Sequence, residues 1–250
     1  MSELVFRTAI STYDRDRIVL RGQPIEALMT GRSFADVVFL LLSARLPSEG
    51  ESRVFEAMLI ASSDHGPNPP STTAARVIAS GNRAAVEAAI AGGVLAIGDA
   101  HGGAGEALMR LLAGALEQEP DPAAAAQRIV EDMAARGKRI PGFGHRVHQI
   151  DPRTTVLFGL ARRHGVAGRG VACVDAIRSV TAQAGKSLPI NLDGAIAAVL
   201  YDLGFPPQLG KAVFIIGRVA GLSAHVLEEL ERERPMRFEF PFEYDGPPEP

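Results

Sequence analysis

The sequence has no tryptophan and, in 250 residues, one cysteine, Cys173. A lone cysteine excludes an intramolecular disulfide framework and fits a reducing compartment, so a cytoplasmic location is the expectation. Cys173 itself reads as a small buried apolar residue rather than a catalytic thiol. A basic stripe is also missing. Net charge is -3 and the isoelectric point is about 6.1, which argues against nucleic acid as a partner. The apolar stretches, of which Ala88 to Gly98 is one, fall short of the roughly 18 residues that a bilayer span needs, so no membrane association is expected. The first residues, Met1 to Arg7, lack a basic segment followed by an apolar run, so no signal peptide is expected. Clear strand alternation is scarce.

What is present is helical punctuation on a globular composition, 46% hydrophobic and 22% charged. Val5 to Leu20, with the polar turn Asp14-Arg15-Asp16, reads as a small hairpin. After it, helix signals repeat. Pro24 opens a helix that stops at Gly31, and Ser33 caps the apolar run from Phe34 to Leu42. Ser48 with Glu51 is a capping-box pattern. Asp121-Pro122 and Asp151-Pro152 start helices that reach Gly137 and Gly165, because a proline at the first helical position gives up an N–H that has no intrahelical partner there. Val171 to Ala184, Asn191 to Gly204 and Gln208 to Arg232 are further helical stretches. The fold class is all-α, helix packed on helix. The tail from Phe238 is aromatic, acidic and proline-rich, and composition alone leaves it as a disordered end or an arm on a partner subunit.

Five segments concentrate unusual polar residues. In Asp64-His65-Gly66-Pro67-Asn68, a broken helix leaves His65 at a boundary, where Ser71 or Thr72 are candidates to cap the next helix. In Asp99-Ala100-His101-Gly102-Gly103, His101 precedes two glycines and a helix N-terminus. Free N–H groups and the helix dipole disfavour an imidazolium there, and a neutral ring can donate to a developing oxyanion. An incidental histidine in a glycine turn is an equal reading of that segment alone.

The most informative segment is Pro141-Gly142-Phe143-Gly144-His145-Arg146-Val147-His148, followed by Asp151-Pro152-Arg153. A glycine loop presents His145, and a helix N-terminus with Arg153 in its first turn makes a carboxylate receptor. No cysteine accompanies His145 and His148 and no carboxylate has ligand spacing, so no metal is expected. Asp193 in Asn191-Leu192-Asp193-Gly194 reads either as a first-turn residue favoured by the dipole or as a carboxylate base at an apolar site. Arg218, amid Val213-Phe214-Ile215-Ile216 and Val219-Ala220, must snorkel or meet an anion. Arg234, before Pro235, alone reads as an ordinary surface residue.

In this order, from about Thr8 to Arg237, the segments resemble the citrate synthase superfamily. His101-Gly102-Gly103-Ala104 is similar to its first histidine motif, and Gly142 to Val147 with Asp151-Pro152-Arg153 to its second. Asn191-Leu192-Asp193 resembles the segment of the catalytic aspartate. Gly217-Arg218-Val219-Ala220-Gly221 with His225 resembles an arginine-bearing helix, and Arg234-Pro235 the arginine that reaches a partner subunit's site. His148 departs from the family, which commonly has an aromatic there. The chain is much shorter than a usual synthase, and Asp64-His65-Gly66-Pro67 and Leu192-Asp193-Gly194-Ala195 resemble the citryl-CoA lyase branch, the C-terminal module of ATP-citrate lyase.

The resemblance implies a helical homodimer or higher oligomer. Residues 1–103 and 206–250 would form a large lobe and 104–205 an inserted small one. It implies His101, His145 and Asp193 as catalytic residues, and His65, Arg153, Arg218 and Arg234 for a 2-oxo-dicarboxylate. Arg139, Pro141, Gly142, Phe143 and Gly144 would face a CoA thioester, with no tightly bound cofactor. Cleavage of citryl-CoA is the first expectation. Citrate synthesis or a related condensation with another acyl-CoA, and a non-catalytic subunit that binds CoA or dicarboxylate, are the alternatives.

Overall fold

The computed structural model describes residue 5, residues 7–144 and residues 150–247. The chain opens with a small antiparallel sheet of β1 (Ser11–Tyr13), β2 (Ile18–Leu20) and β3 (Gln23–Pro24), with Thr12 opposite Val19. The hairpin follows the sequence reading. The third strand does not, because two residues are too short to show alternation. Arg21 and Gly22, at φ +47 and +81, make the tight return into β3. The Arg21 guanidinium donates to Leu41 O from Nε at 3.2 Å and from Nη2 at 3.0 Å, which pins the sheet to the helices.

Eleven helices follow among the described residues: α1 (Ile25–Gly31), α2 (Phe34–Ser43), α3 (Glu49–Ser62), α4 (Pro70–Gly81), α5 (Val86–Leu95), α6 (Ala104–Gln118), α7 (Pro122–Ala135), α8 (Pro152–Arg163), α9 (Arg169–Gln183), α10 (Leu192–Asp202) and α11 (Leu209–Arg232). The fold is all-α, as the punctuation predicts. Ser33 and Ser48 close full capping boxes with Asp36 and Glu51, and Asp121, Asp151 and Asn191 accept first-turn N–H groups. One capping expectation fails. The N-cap of α4 is Pro69, and Ser71 and Thr72 lie inside the first turn, fully buried. Pro70 takes the first helical position and carries both hydroxyls inward.

One apolar core runs through α2, α3, α6 to α10 and the start of α11, with Phe39, Phe55 and Phe205 packed ring to ring at 5.1–5.9 Å. A smaller cluster of Ala75, Ala79, Ala89, Leu222 and Val226 joins α4, α5 and α11. Against the sequence expectation that the apolar stretches fall short of a span, α11 is long and apolar enough to cross a bilayer, because the few charges along it do not interrupt the helix. Here it packs against α3, α4, α5, α6 and α10, with Val213, Phe214, Leu222 and Val226 buried. Gly217 and Gly221 allow the end of α3 to approach it: a Cβ on Gly217 would stand 2.7 Å from Leu59 O, and Gly221 N–H donates to Ser63 O at 3.1 Å. This contact sets the segment that follows α3 beside the middle of α11. Residues 238–247 form neither helix nor strand, and Phe240, Phe242 and Tyr244 are exposed.

Candidate active site

Five separate stretches of chain meet at a cavity of about 120 Å³ lined by His65, His101, Gly102, Arg153, Asn191, Leu192, Asp193, Phe214 and Arg218. Five polar candidates of the sequence, His65, His101, Arg153, Asp193 and Arg218, are therefore brought together.

Asp193 sits in the first turn of α10, just after the Asn191 cap. Burial pushes its carboxyl up to about 6, against the attraction of Arg153 and Arg218 and with a small further push from Asp151. Desolvation outweighs two cations here, which leaves a carboxyl that exchanges its proton near neutrality. It is a first-turn residue, and it also lines the cavity.

Arg218 is 1% exposed, and the sequence choice between snorkelling and meeting an anion is decided against snorkelling. Its Nε donates to Ser62 O at 2.8 Å and its guanidinium lies 4.9 Å from the Phe214 ring centre. Its buried Nη1 has no hydrogen-bond partner. Burial lowers its pKa, with Asp64 and Asp193 opposing and Arg153 adding to the effect. A buried cation with an unused donor at a cavity wall suits an anionic ligand.

Arg153 stands in the first turn of α8, as expected, but it already has a carboxylate. Its Nε and Nη2 donate to Asp151 at 3.0 and 2.8 Å, and Asp151 is 1% exposed. Adjacent cap and first-turn residues thus form a bidentate pair, which holds the guanidinium at the cavity and offsets part of its charge.

His101 precedes α6, whose cap is Gly103. Its backbone pairs with Gly98 in both directions at 2.8 and 3.0 Å, and its ring meets the edge of Phe214 at 6.1 Å. Gly102, at φ +78, leaves no space for a side chain: a Cβ there would come within 2.8 Å of Phe214 and Ile97. The hydroxyl of Ser71 lies 2.9 Å from His101 Nε2. Sequence reasoning missed this partner, since Ser71 is 30 residues away and reads as a cap.

The loop at 139–144 is built onto the start of α10. Asn191 N–H donates to Gly142 O at 3.0 Å, Gly144 N–H to Pro189 O at 2.7 Å, and Asn191 Nδ2 to Gly144 O at 3.0 Å. Phe143 bridges Ile190, Pro141 is half-buried and Arg139 is exposed. His145 and His148 lie outside the described residues. Arg234 is exposed and does not line the cavity of its own chain. Among the described residues no group of three or more His, Cys, Asp or Glu side chains gathers as a metal cage. Cys173 is buried away from the cavity, and burial pushes its thiol up to about 12.

The family model for the citrate synthase C-terminal domain matches residues 48–239. Among curated proteins, the citrate/2-methylcitrate synthase of Bacillus subtilis (strain 168) is 33% identical over 228 residues, which are 88% of this chain and 59% of that protein. The citrate synthase of Haloferax volcanii is 29% identical over 219 residues, 86% of this chain and 55% of that one. The chain thus spans less than two thirds of the length of these relatives. Among solved structures, citryl-CoA lyase from Hydrogenobacter thermophilus is 39% identical with a TM-score of 0.91, over 99% of this chain and 97% of that chain. ATP citrate lyase from Methanosaeta concilii, solved as a mutant in complex with (3S)-citryl-CoA, is 22% identical with a TM-score of 0.84, over 100% of this chain and 43% of that one, a likeness of fold.

Proposed function

This chain belongs to the citrate synthase family, and we propose that within it the chain is a citryl-CoA lyase, which cleaves citryl-CoA to acetyl-CoA and oxaloacetate. The observation that carries the reading is the cavity, where a carboxyl pushed up to about 6, two histidines and two arginines converge. Lyase rather than synthase is supported by the 39% identity to citryl-CoA lyase over nearly the whole of both chains. Synthesis is the second reading, favoured by the 33% identity to the Bacillus synthase.

In cleavage, the C3 hydroxyl proton of citryl-CoA passes to His145 as the carbonyl of oxaloacetate forms and the C2–C3 bond breaks. The electron pair moves into the thioester as an enolate. Neutral His101 donates to its oxygen, with Ser71 holding the ring. Protonated Asp193 then gives its proton to the enolate carbon, which becomes the methyl group of acetyl-CoA. One oxyanion donor contributes about 10²–10³-fold and one placed acid about 10²–10⁴-fold, so the two must act together. Arg218 and Arg153 take the dicarboxylate, with His65 at the carbonyl oxygen, since a guanidinium fork matches a carboxylate in two places. Arg234, exposed in its own chain, serves the partner's site in a homodimer. The segment from Arg139 to Gly144 lies along the CoA side.

The test is the incubation of purified protein with citryl-CoA, following oxaloacetate, acetyl-CoA and free CoA separately. Oxaloacetate and acetyl-CoA in equal amounts are expected. Citrate with free CoA would give the synthase reading instead, and no product of either kind would leave the binding-subunit alternative.

A further inference from the structure

The segment that carries His65 is held from behind by a line of charged groups that the reaction above does not use. Glu229 of α11 is fully buried, and its carboxylate accepts from Arg76 Nε at 2.8 Å and from Arg237 Nε and Nη2 at 2.7 and 2.6 Å. Arg76, on α4 and nearly buried, brings Nη1 to 3.5 Å from His225 Nδ1. The other ring nitrogen, Nε2, lies 3.1 Å from Asp64 Oδ1. Asp64 Oδ2 accepts the Gly66 N–H at 2.9 Å, and Gly66 takes φ +83.

The donors and acceptors order themselves. Arginine has donors only, so Nη1 opposite Nδ1 requires a lone pair on that nitrogen. The proton of the neutral ring then sits on Nε2 and points at the Asp64 carboxylate. Burial works against ionisation of Asp64, but the Gly66 N–H, His225 and the His65 backbone N–H together hold it below the usual carboxylate range. Its charge also acts on Arg218 at the cavity wall. A single carboxylate thus fixes the 64–66 turn and also acts electrostatically on the Arg218 guanidinium.

We infer that His225 is a positioning residue for the 2-oxo-acid end of the cavity: through its Nε2–H bond to Asp64 it sets the turn that aims His65 and keeps a negative charge in register with Arg218. The inference rests on the reading of the cavity as an oxaloacetate site. A purely structural His225 would tie α4 to α11 and nothing more, and its loss would lower the melting temperature without a selective effect on one ligand.

The experiment is calorimetric titration of oxaloacetate, and separately of CoA, into wild type, His225→Ala and His225→Gln, with melting temperatures alongside. Loss of one hydrogen bond to a charged group corresponds to about a tenfold change. His225→Ala is expected to weaken oxaloacetate about tenfold and leave CoA unchanged, and His225→Gln, which keeps an N–H near the Nε2 position, to recover most of the affinity. Equal oxaloacetate affinity in wild type and His225→Ala overturns the inference, as does parallel weakening of both ligands or no recovery in His225→Gln. Wild type that fails to bind oxaloacetate at all would overturn the oxaloacetate reading of the cavity, and this inference with it. If His225→Ala does not fold, Asp64→Asn is titrated in its place: weaker oxaloacetate supports the inference and unchanged affinity overturns it.

Discussion

Gly142 and Gly194 stand backbone to backbone, so close that a Cβ on Gly142 would lie 2.6 Å from Gly194 Cα. Gly142 also takes φ +79, which side chains rarely adopt. The loop that leads toward His145 is therefore locked onto the first turn of the helix that carries Asp193. Gly142→Ala meets both a steric and a conformational penalty. It is expected to destabilise the protein by about 2 kcal/mol or more and to lower turnover further than stability alone explains. Denaturant unfolding and kcat measured on the same preparation check this.

Asp193→Asn separates stability from function. The raised carboxyl means that the folded state holds this proton more tightly than the unfolded chain does. Its stabilising contribution is full below about 4 and is lost as pH rises through about 6. At pH 7.5 the native protein carries a buried charge that costs stability, on the order of 3 kcal/mol for a shift of this size. The amide removes it, so Asp193→Asn is expected to melt higher at pH 7.5, with the gain vanishing toward pH 4, while cleavage is nearly abolished. Thermal melts across that range provide the check.

The same shift sets a pH limb for turnover. Cleavage needs the protonated carboxyl, so kcat/KM for citryl-CoA is expected to fall as pH rises through about 6. Cleavage takes up and releases no net proton, because His145 gains one as Asp193 gives one, so condensation follows the same limb. A cleavage profile that stays flat through about pH 6 would remove Asp193 from the acid–base role.

Ser71→Ala deletes the hydroxyl beside His101 Nε2 and adds no bulk. A net hydrogen bond of about 1 kcal/mol corresponds to a loss of about tenfold or less in kcat, with KM for citryl-CoA little changed. Steady-state kinetics decide it, and an unchanged kcat would mean that the ring needs no such support.

Arg218→Met tests the buried cation. Replacing a desolvated charge by an apolar side chain of similar length is expected to leave stability equal or higher, while oxaloacetate affinity falls about 100-fold. Titration of oxaloacetate with a parallel melt separates the two effects.

What the sequence disclosed and what it hid follow physical range. Helix starts were legible because capping is local: Ser33 with Asp36, and Ser48 with Glu51, lie within one turn. The cavity residues were legible because histidine, arginine and glycine stood where an apolar helix had no need of them. Ser71 was hidden, since a serine after two prolines looks like a cap and its partner is 30 residues away. The Arg76–Glu229 pair spans 153 residues of chain, and each member alone reads as an ordinary helix charge. The pairing of Arg153 with Asp151 lay in plain view in sequence, but whether a cap side chain also grips the guanidinium is a matter of rotamers, which sequence does not disclose.

The most direct test of the central claim is cleavage of citryl-CoA in D₂O, with the acetyl-CoA product analysed by mass spectrometry for wild type and Asp193→Asn. The account predicts one deuterium in the acetyl methyl group from wild type and almost no acetyl-CoA from the variant. Acetyl-CoA formed by Asp193→Asn at the wild-type rate, or citrate and free CoA as the wild-type products, would contradict it.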